Sequence, residues 1–240
     1  MNARTNDRPL KIVVSCEHAG NQIPAAYRKL FRGAEEVLAS HRGYDLGSHE
    51  IGKHFSRAFG APLVVTKTSR LLVEVNRSLG HPSLFSEWSS QLGVEERRKL
   101  VATYYEPHRA NVISRIDDGF RRGVRVVHLS MHTFTPVLHG QKRRADVGLL
   151  YDPRRPSESR LCRLWAGAIA RLRPDLAVRR NYPYRGVSDG FTTALRKRYS
   201  EPDYLGIELE LNQKWVSRST VWRTLIRDVA NAFASAREQF

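Results

Sequence analysis

Only two cysteines, Cys16 and Cys162, occur in 240 residues. They are too few for a disulfide framework and fall outside any Cys-x-x-Cys spacing, which points to a reducing compartment. Long apolar runs are missing as well: no window approaches the roughly 20 uninterrupted apolar residues of a spanning helix. The opening residues MNARTNDRPL hold no apolar h-region, so a cytoplasmic protein without a leader or a membrane segment is expected. Acidic residues are scarce, 24 Asp and Glu against 40 Lys and Arg, a net charge of +16. The basic excess is mostly arginine spread along the chain, with short runs at Lys142-Arg143-Arg144 and Arg196-Lys197-Arg198. None reaches the block of five or six like charges that marks a basic tail. Spread charge of this kind describes a basic surface or a site that attracts anions better than a nucleic-acid stripe.

The remaining composition, 41% hydrophobic and 27% charged, is that of an ordinary globular chain. Neither a fixed-period repeat nor a linker divides it, so residues 1–240 are read as one domain. Apolar runs at residues 11–15, 61–66, 71–75, 123–130, 147–150 and 205–211 read as strands, with a weaker one at 176–178. Residues 47–59, 94–120, 157–172 and 215–240 repeat near 3.6 and read as helices. Pro24 fits the first turn of a short helix through Phe31, and Pro107 starts or kinks a helix. Strands alternating with helices predict a three-layer α/β/α domain with a mostly parallel central sheet. In such domains ligands gather beyond the carboxyl ends of the strands.

Chemistry-bearing residues fall at those ends. The first strand runs into Ser15-Cys16-Glu17-His18-Ala19-Gly20-Asn21 and the 123–130 strand into Ser130-Met131-His132-Thr133. A hydrolytic zinc takes three His or carboxylate ligands and leaves a position open for water. His18 and His132 supply two nitrogens. Asp45 is the preferred third ligand, in a segment where positions 41, 45 and 49 are expected to share a helical face. Glu17 is its rival, although neighbours 17 and 18 tend to point apart. His49-Glu50-Ile51-Gly52-Lys53-His54 only mimics the His-Glu-x-x-His pattern, because its histidines are five apart and leave the shared face.

Five segments in order carry a resemblance: Cys16 to Gly20, His41 to Gly47 with Tyr44-Asp45, Ser69 to Arg77, Ser130 to Pro136, and Gly206 to Asn212. Together they resemble the N-formylglutamate amidohydrolase family, over about residues 11–216. The resemblance implies a zinc-carboxypeptidase-like α/β/α fold, related to aspartoacylase and succinylglutamate desuccinylase. It also implies zinc-dependent hydrolysis of the amide in an N-acylated acidic amino acid. By position, His18 and His132 match the family's strand-end histidines and Asp45 its Tyr-Asp motif. Glu210 matches the carboxylate of its last strand. Asn76 and Arg77 match a pair that grips the substrate carboxylate. Glu17 and Ala19 depart from the more usual Pro-His-Ser-Gly, Glu74 replaces a usual Asp, and Gln213 stands where Arg is common. Those departures mark a divergent branch.

The side-chain chemistry agrees with this. The planar guanidinium of Arg77 beside Asn76 suits a carboxylate, and Arg70 offers a second cation unless it is one more surface arginine. Arg185, in the loop Asn181 to Gly186, is expected at the substrate rim, and His108 is read as structural. Glu208 and Glu210 lie two apart on a strand and face the same side, where they repel unless one meets a metal, a proton or a cation. Glu210 is the expected base and Glu208 its orienting partner. The expected cofactor is Zn or another divalent metal, and the expected partner a small anionic N-acyl amino acid. The alternatives are a basic nucleic-acid-binding module and a family member that has lost catalysis.

Overall fold

In the computed structural model, which describes residues 8–240, β1 (Leu10–Cys16), β2 (Leu63–Val65), β3 (Arg125–Phe134), the short β4 (Val137–Leu138) and β5 (Gln141–Lys142), β6 (Val147–Leu150), β7 (Val178–Arg180) and β8 (Tyr204–Asn212) alternate with helices. The helices are α1 (Glu35–Ala39), α2 (Ser48–Phe59), α3 (Val94–Leu100), α4 (Glu106–Arg121), α5 (Pro156–Leu172), α6 (Phe191–Arg198) and α7 (Ser219–Glu238). Six strands form one sheet in the order β2-β1-β3-β8-β6-β7, and β4 pairs with β5 in a separate hairpin. The first four are mutually parallel, while β6 runs antiparallel to β8 and parallel to β7. No helix among the described residues is long and apolar enough to cross a membrane.

Strand periodicity explains the layers. In β3 and β8 alternate residues Leu129, Met131, Ile207, Leu209 and Leu211 point to one face. There they meet Ile51 and Phe55 of α2, Leu161 and Trp165 of α5, and Trp222, Val229 and Phe233 of α7. Each such side chain contributes about 1.5–3 kcal/mol by leaving water. Pro156 preorganises the first turn of α5, whose apolar residues at 161, 165, 168 and 169 keep a single stripe. Trp165 Nε1 donates to Val229 O at 3.0 Å and ties α5 to α7. On the opposite face Val13, Val126 and Tyr204 pack against Val112 and Ile116 of α4 and Phe191 and Leu195 of α6. The expected α/β/α layering is present.

Several local expectations are corrected. Residues 71–75 form a buried loop, not a strand. Leu71, Leu72, Val73 and Val75 are buried in two small clusters below the sheet's edge, and side chains rather than a ladder bond the backbone carbonyls. Ser86 and Ser89 bond Leu71 O, and Arg109 Nη1 donates to Val75 O at 3.1 Å and Arg77 O at 3.2 Å. A buried apolar run without a ladder partner produced the strand pattern. The segment holding His41 and Asp45 is also a loop; α2 begins only at Ser48, so 41, 45 and 49 share no helical face. Gly47, at φ +89°, makes that turn, and a side chain there would strike Trp222. The expected helix 94–120 carries a π-turn at Val101–Tyr105 before α4 opens at Glu106, with Pro107 in its first turn. Helix α6 had no strong periodic signal.

Candidate metal centre and active site

The site forms on the face of the sheet that carries Val126 and Tyr204, where it turns from apolar to polar. Ser130 and His132 on β3 lie beside Glu208 and Glu210 on β8, in the parallel register Ser130↔Glu208 and His132↔Glu210. His18 arrives from the turn after β1, and Asp45 from the loop before α2. A backbone bond from Asp45 N to His18 O at 2.9 Å clips those two segments together. The rings of His18 and His132 lie 5.0 Å apart, and the donor atoms of His18, Asp45 and His132 fall within 4.8 Å of one another. All three are buried.

Hydrogen bonds fix which nitrogens face inward. Ser130 Oγ donates to Glu17 Oε2 at 2.6 Å, so it accepts the Nε2–H of His132 at 2.8 Å. Glu74 Oε1 accepts from His18 Nε2 at 2.6 Å and from Asn76 N at 3.0 Å, while Arg70 holds its other oxygen. With both Nε2 atoms occupied, the Nδ1 atoms of His18 and His132 point at Asp45 Oδ2 from 3.2 and 2.9 Å. Two nitrogen lone pairs then face a carboxylate oxygen, an arrangement that requires a cation or a shared proton. Burial opposes the charge on His132, but Asp45 and Glu17 raise its pKa well above the ordinary value. Burial likewise opposes ionisation of Asp45, and His18 and His132 overcome it, holding the carboxyl far below its usual range. The two separations to Asp45 are close to the ~3.4 Å edge of a tetrahedron with bonds of about 2.1 Å, and two imidazoles with a carboxylate are a donor set that suits Zn²⁺.

Glu17, the rival ligand, faces the other nitrogen of His132. Its carboxylate is 1% exposed and lies 3.4 Å from His132 Nε2 and 3.3 Å from His108 Nε2. His108 in turn bonds Thr66 Oγ1 at 2.7 Å. His108 therefore belongs to a buried chain ending on His132, a link that nothing in its sequence neighbourhood signalled.

Glu210 borders the same cavity of about 230 Å³. Its Oε2 is buried without a hydrogen-bond partner among the described residues. Burial pushes its pKa up to about 8, with Asp45 and Glu208 adding to the effect and His132 opposing it. Glu208 accepts from Thr192 Oγ1 at 2.5 Å. Asn76 and Arg77 line the cavity too: Asn76 Oδ1 accepts from Phe191 N at 2.8 Å, and Arg77 Nη1 donates to Asp189 O. Arg185 is at the exposed rim beside Tyr184. Arg70 lines the cavity, but its guanidinium is committed to Glu74 and Asp45. Gly148 admits the loop carrying Tyr184 and Arg185, since a Cβ there would lie 2.1 Å from Tyr182 O and 3.2 Å from Glu210 Cβ. The structure thus places His18, Asp45, Arg70, Asn76, Arg77, His132, Arg185, Glu208 and Glu210 around one cavity, with the rival ligand Glu17 outside its lining. It adds His41, Arg143, Tyr184 and Asp189 to the lining.

Residues 10–216 match the family model for N-formylglutamate amidohydrolase. The chain belongs to the N-formylglutamate amidohydrolase family. An amidohydrolase function follows from that membership. The fold is similar to the crystal structure of a gene product from Agrobacterium tumefaciens, with 27% identity, 95% of this chain and 91% of that one covered, and a TM-score of 0.83. It is also similar to an N-formylglutamate amidohydrolase from Ralstonia eutropha, at 18% identity, 98% and 95% coverage and a TM-score of 0.72, a likeness of fold alone. No match was found among curated proteins.

Proposed function

We propose that this chain is a single-domain, cytoplasmic, divalent-metal-dependent amidohydrolase that cleaves the amide of a small anionic N-acyl amino acid of the N-formylglutamate type. The observation that carries the reading is the convergence of His18 Nδ1, His132 Nδ1 and Asp45 Oδ2 beside the unpartnered Oε2 of Glu210. His18, Asp45 and His132 would hold the ion, with zinc favoured by the mixed nitrogen and oxygen donors. A divalent ion there supplies Lewis acidity, polarising an acyl carbonyl and making water more acidic.

The protein's own groups complete the chemistry. Glu74 and Glu17 accept, directly or through Ser130, the outer N–H groups of the two histidines and fix which nitrogen faces the ion. Glu210 accepts the proton of the attacking water and returns it to the departing amine. A base whose pKa burial has raised is suited to both transfers near neutral pH. Glu208, fixed by Thr192, keeps a second negative charge beside Glu210 and sustains that high proton affinity. The amide NH₂ of Asn76 and the guanidinium of Arg77 bind the α-carboxylate, and Arg185 attracts anions at the rim. Arg70 acts mainly by holding Glu74 and Asp45 in place.

The test joins metal analysis of the purified protein to amine release from N-formyl, N-acetyl and N-succinyl amino acids. We expect about one equivalent of metal, activity abolished by a chelator, and metal lost from His132→Ala. Glu210→Gln should keep the metal and lose about 100- to 10,000-fold in kcat, the usual span for a proton-transfer group. Full activity in protein free of metal would refute the reading.

A further inference from the structure

Arg143 is the one cavity-lining arginine on the β4–β5 hairpin, just past β5. Its backbone is pinned at both ends: its N–H donates to Pro136 O at 2.8 Å, and its carbonyl accepts from Asn212 Nδ2 at 3.3 Å. The guanidinium carbon lies 5.0 Å from the ring centre of Tyr184 and 5.9 Å from that of Phe134. Its Nη2 donates to Tyr184 Oη at 3.1 Å. Two aromatic faces and a phenol thus set the position of the fork.

The other prong is idle. Arg143 Nη1 is shielded from solvent and has no hydrogen-bond partner among the described residues. By contrast Arg70 is engaged by Glu74 and Asp45, and one prong of Arg77 is engaged by Asp189 O. A dehydrated, charged N–H with nothing to bond is costly unless a ligand supplies the acceptor. The cavity therefore presents separate anion-binding groups on two different segments: Asn76 and Arg77 on the loop after residue 69, and Arg143 on the hairpin.

We propose that Arg143 is a specificity-determining residue whose free prong binds a second carboxylate of the substrate, so that the site selects N-acyl amino acids with an acidic side chain over those with a neutral one. The proposal rests on the amidohydrolase reading of the same cavity. One carboxylate engages Asn76 and Arg77, and the side-chain carboxylate engages Arg143 between Tyr184 and Phe134. No bond is made or broken in this step.

The test uses the metal-loaded full chain as wild type, Arg143→Gln and Arg143→Lys. Steady-state rates are compared for N-formylglutamate and its neutral isostere N-formylglutamine, and calorimetry compares glutarate with butyrate. Loss of a hydrogen bond between charged groups predicts that Arg143→Gln lowers the Glu-over-Gln ratio of kcat/KM by about 10- to 100-fold, mainly through KM for the acidic substrate. Arg143→Lys should recover part of it, because the charge remains without the planar fork. An unchanged ratio, or an equal kcat loss on both substrates, would overturn the assignment. If Arg143→Gln does not fold, Tyr184→Phe tests the same point, since freeing Nη2 should lower the ratio in the same direction. Calorimetry separates the two claims: a wild-type preference for glutarate that Arg143→Gln removes upholds the subsite even if no amide is cleaved. Hydrolysis without that preference upholds the enzyme and sinks the subsite.

Discussion

Glu210 illustrates how a single side chain can carry both reactivity and a stability cost. Free glutamate ionises near 4.5, whereas burial pushes Glu210 up to about 8. In metal-free protein the folded chain then holds a proton that the unfolded chain releases from pH ~4.5 upward. Stability from this group is complete below the unfolded value and falls as pH rises through the folded one. A dication beside Asp45 would lower the pKa of Glu210 and ease the penalty. Glu210→Gln removes the titration altogether. In chelator the thermal midpoint of the Gln variant should therefore gain on wild type as pH rises from ~5 to ~8, and the gap should shrink when metal is restored. Parallel midpoint profiles for the two proteins would show that Glu210 is not held protonated. At this scale the sequence was informative where a residue's type and strand position sufficed: His18, His132, Glu208 and Glu210 all sit at strand ends or on one strand face. It was silent where partners are distant. Glu17 meets His108 across 91 positions, and Arg143 hides in a Lys-Arg-Arg run that reads as a solvated surface.

Among the elements, the loop from Ser69 to Arg77 holds the site together. It supplies Arg70 and Glu74 to the histidine side and Asn76 and Arg77 to the substrate side. Its shape is held from α4: Arg109 caps two of its carbonyls and stacks 4.2 Å from the Phe191 ring centre and 4.8 Å from that of Tyr105. Tyr105 itself donates to Arg77 O at 2.8 Å. Arg109→Met keeps much of the stacking surface but leaves the carbonyls short of a donor, which should cost about 1–3 kcal/mol in denaturant unfolding. Because Asn76 and Arg77 ride on those carbonyls, KM should rise more than kcat falls. A fall confined to kcat would place the loop's influence on the proton-transfer side instead. The same loop explains the main misreading of the sequence. A short apolar run marks a buried chain, and Leu71, Leu72, Val73 and Val75 are buried, but against helices and turns rather than in a ladder. The β1, β3 and β8 patterns were legible because long runs such as Arg125–Phe134 are buried on both faces, which only a central strand of a covered sheet requires.

For the whole molecule, the charge of +16 has to be weighed against where cations are left free. Several cations are already neutralised: Arg196 by Glu158, Arg173 by Asp175 and Asp228, and Lys11 by Asp118. Around the cavity Arg77, Arg143 and Arg185 have no carboxylate partner among the ion pairs of the described residues, although Asp45, Asp189, Glu208 and Glu210 line the same site. Cations left unpaired around the cavity attract an anion to it, where the acids can act on what enters. A field of this sign raises the encounter rate of anionic ligands and is weakened once the Debye length drops below about 10 Å. For a doubly charged substrate, kcat/KM should therefore fall about three- to tenfold as sodium chloride is raised from ~0.05 to ~0.5 M. The neutral isostere, sharing only the α-carboxylate, should lose distinctly less. Equal slopes for the two would mean that the excess charge acts as a diffuse surface property and has no part in steering substrate to this site.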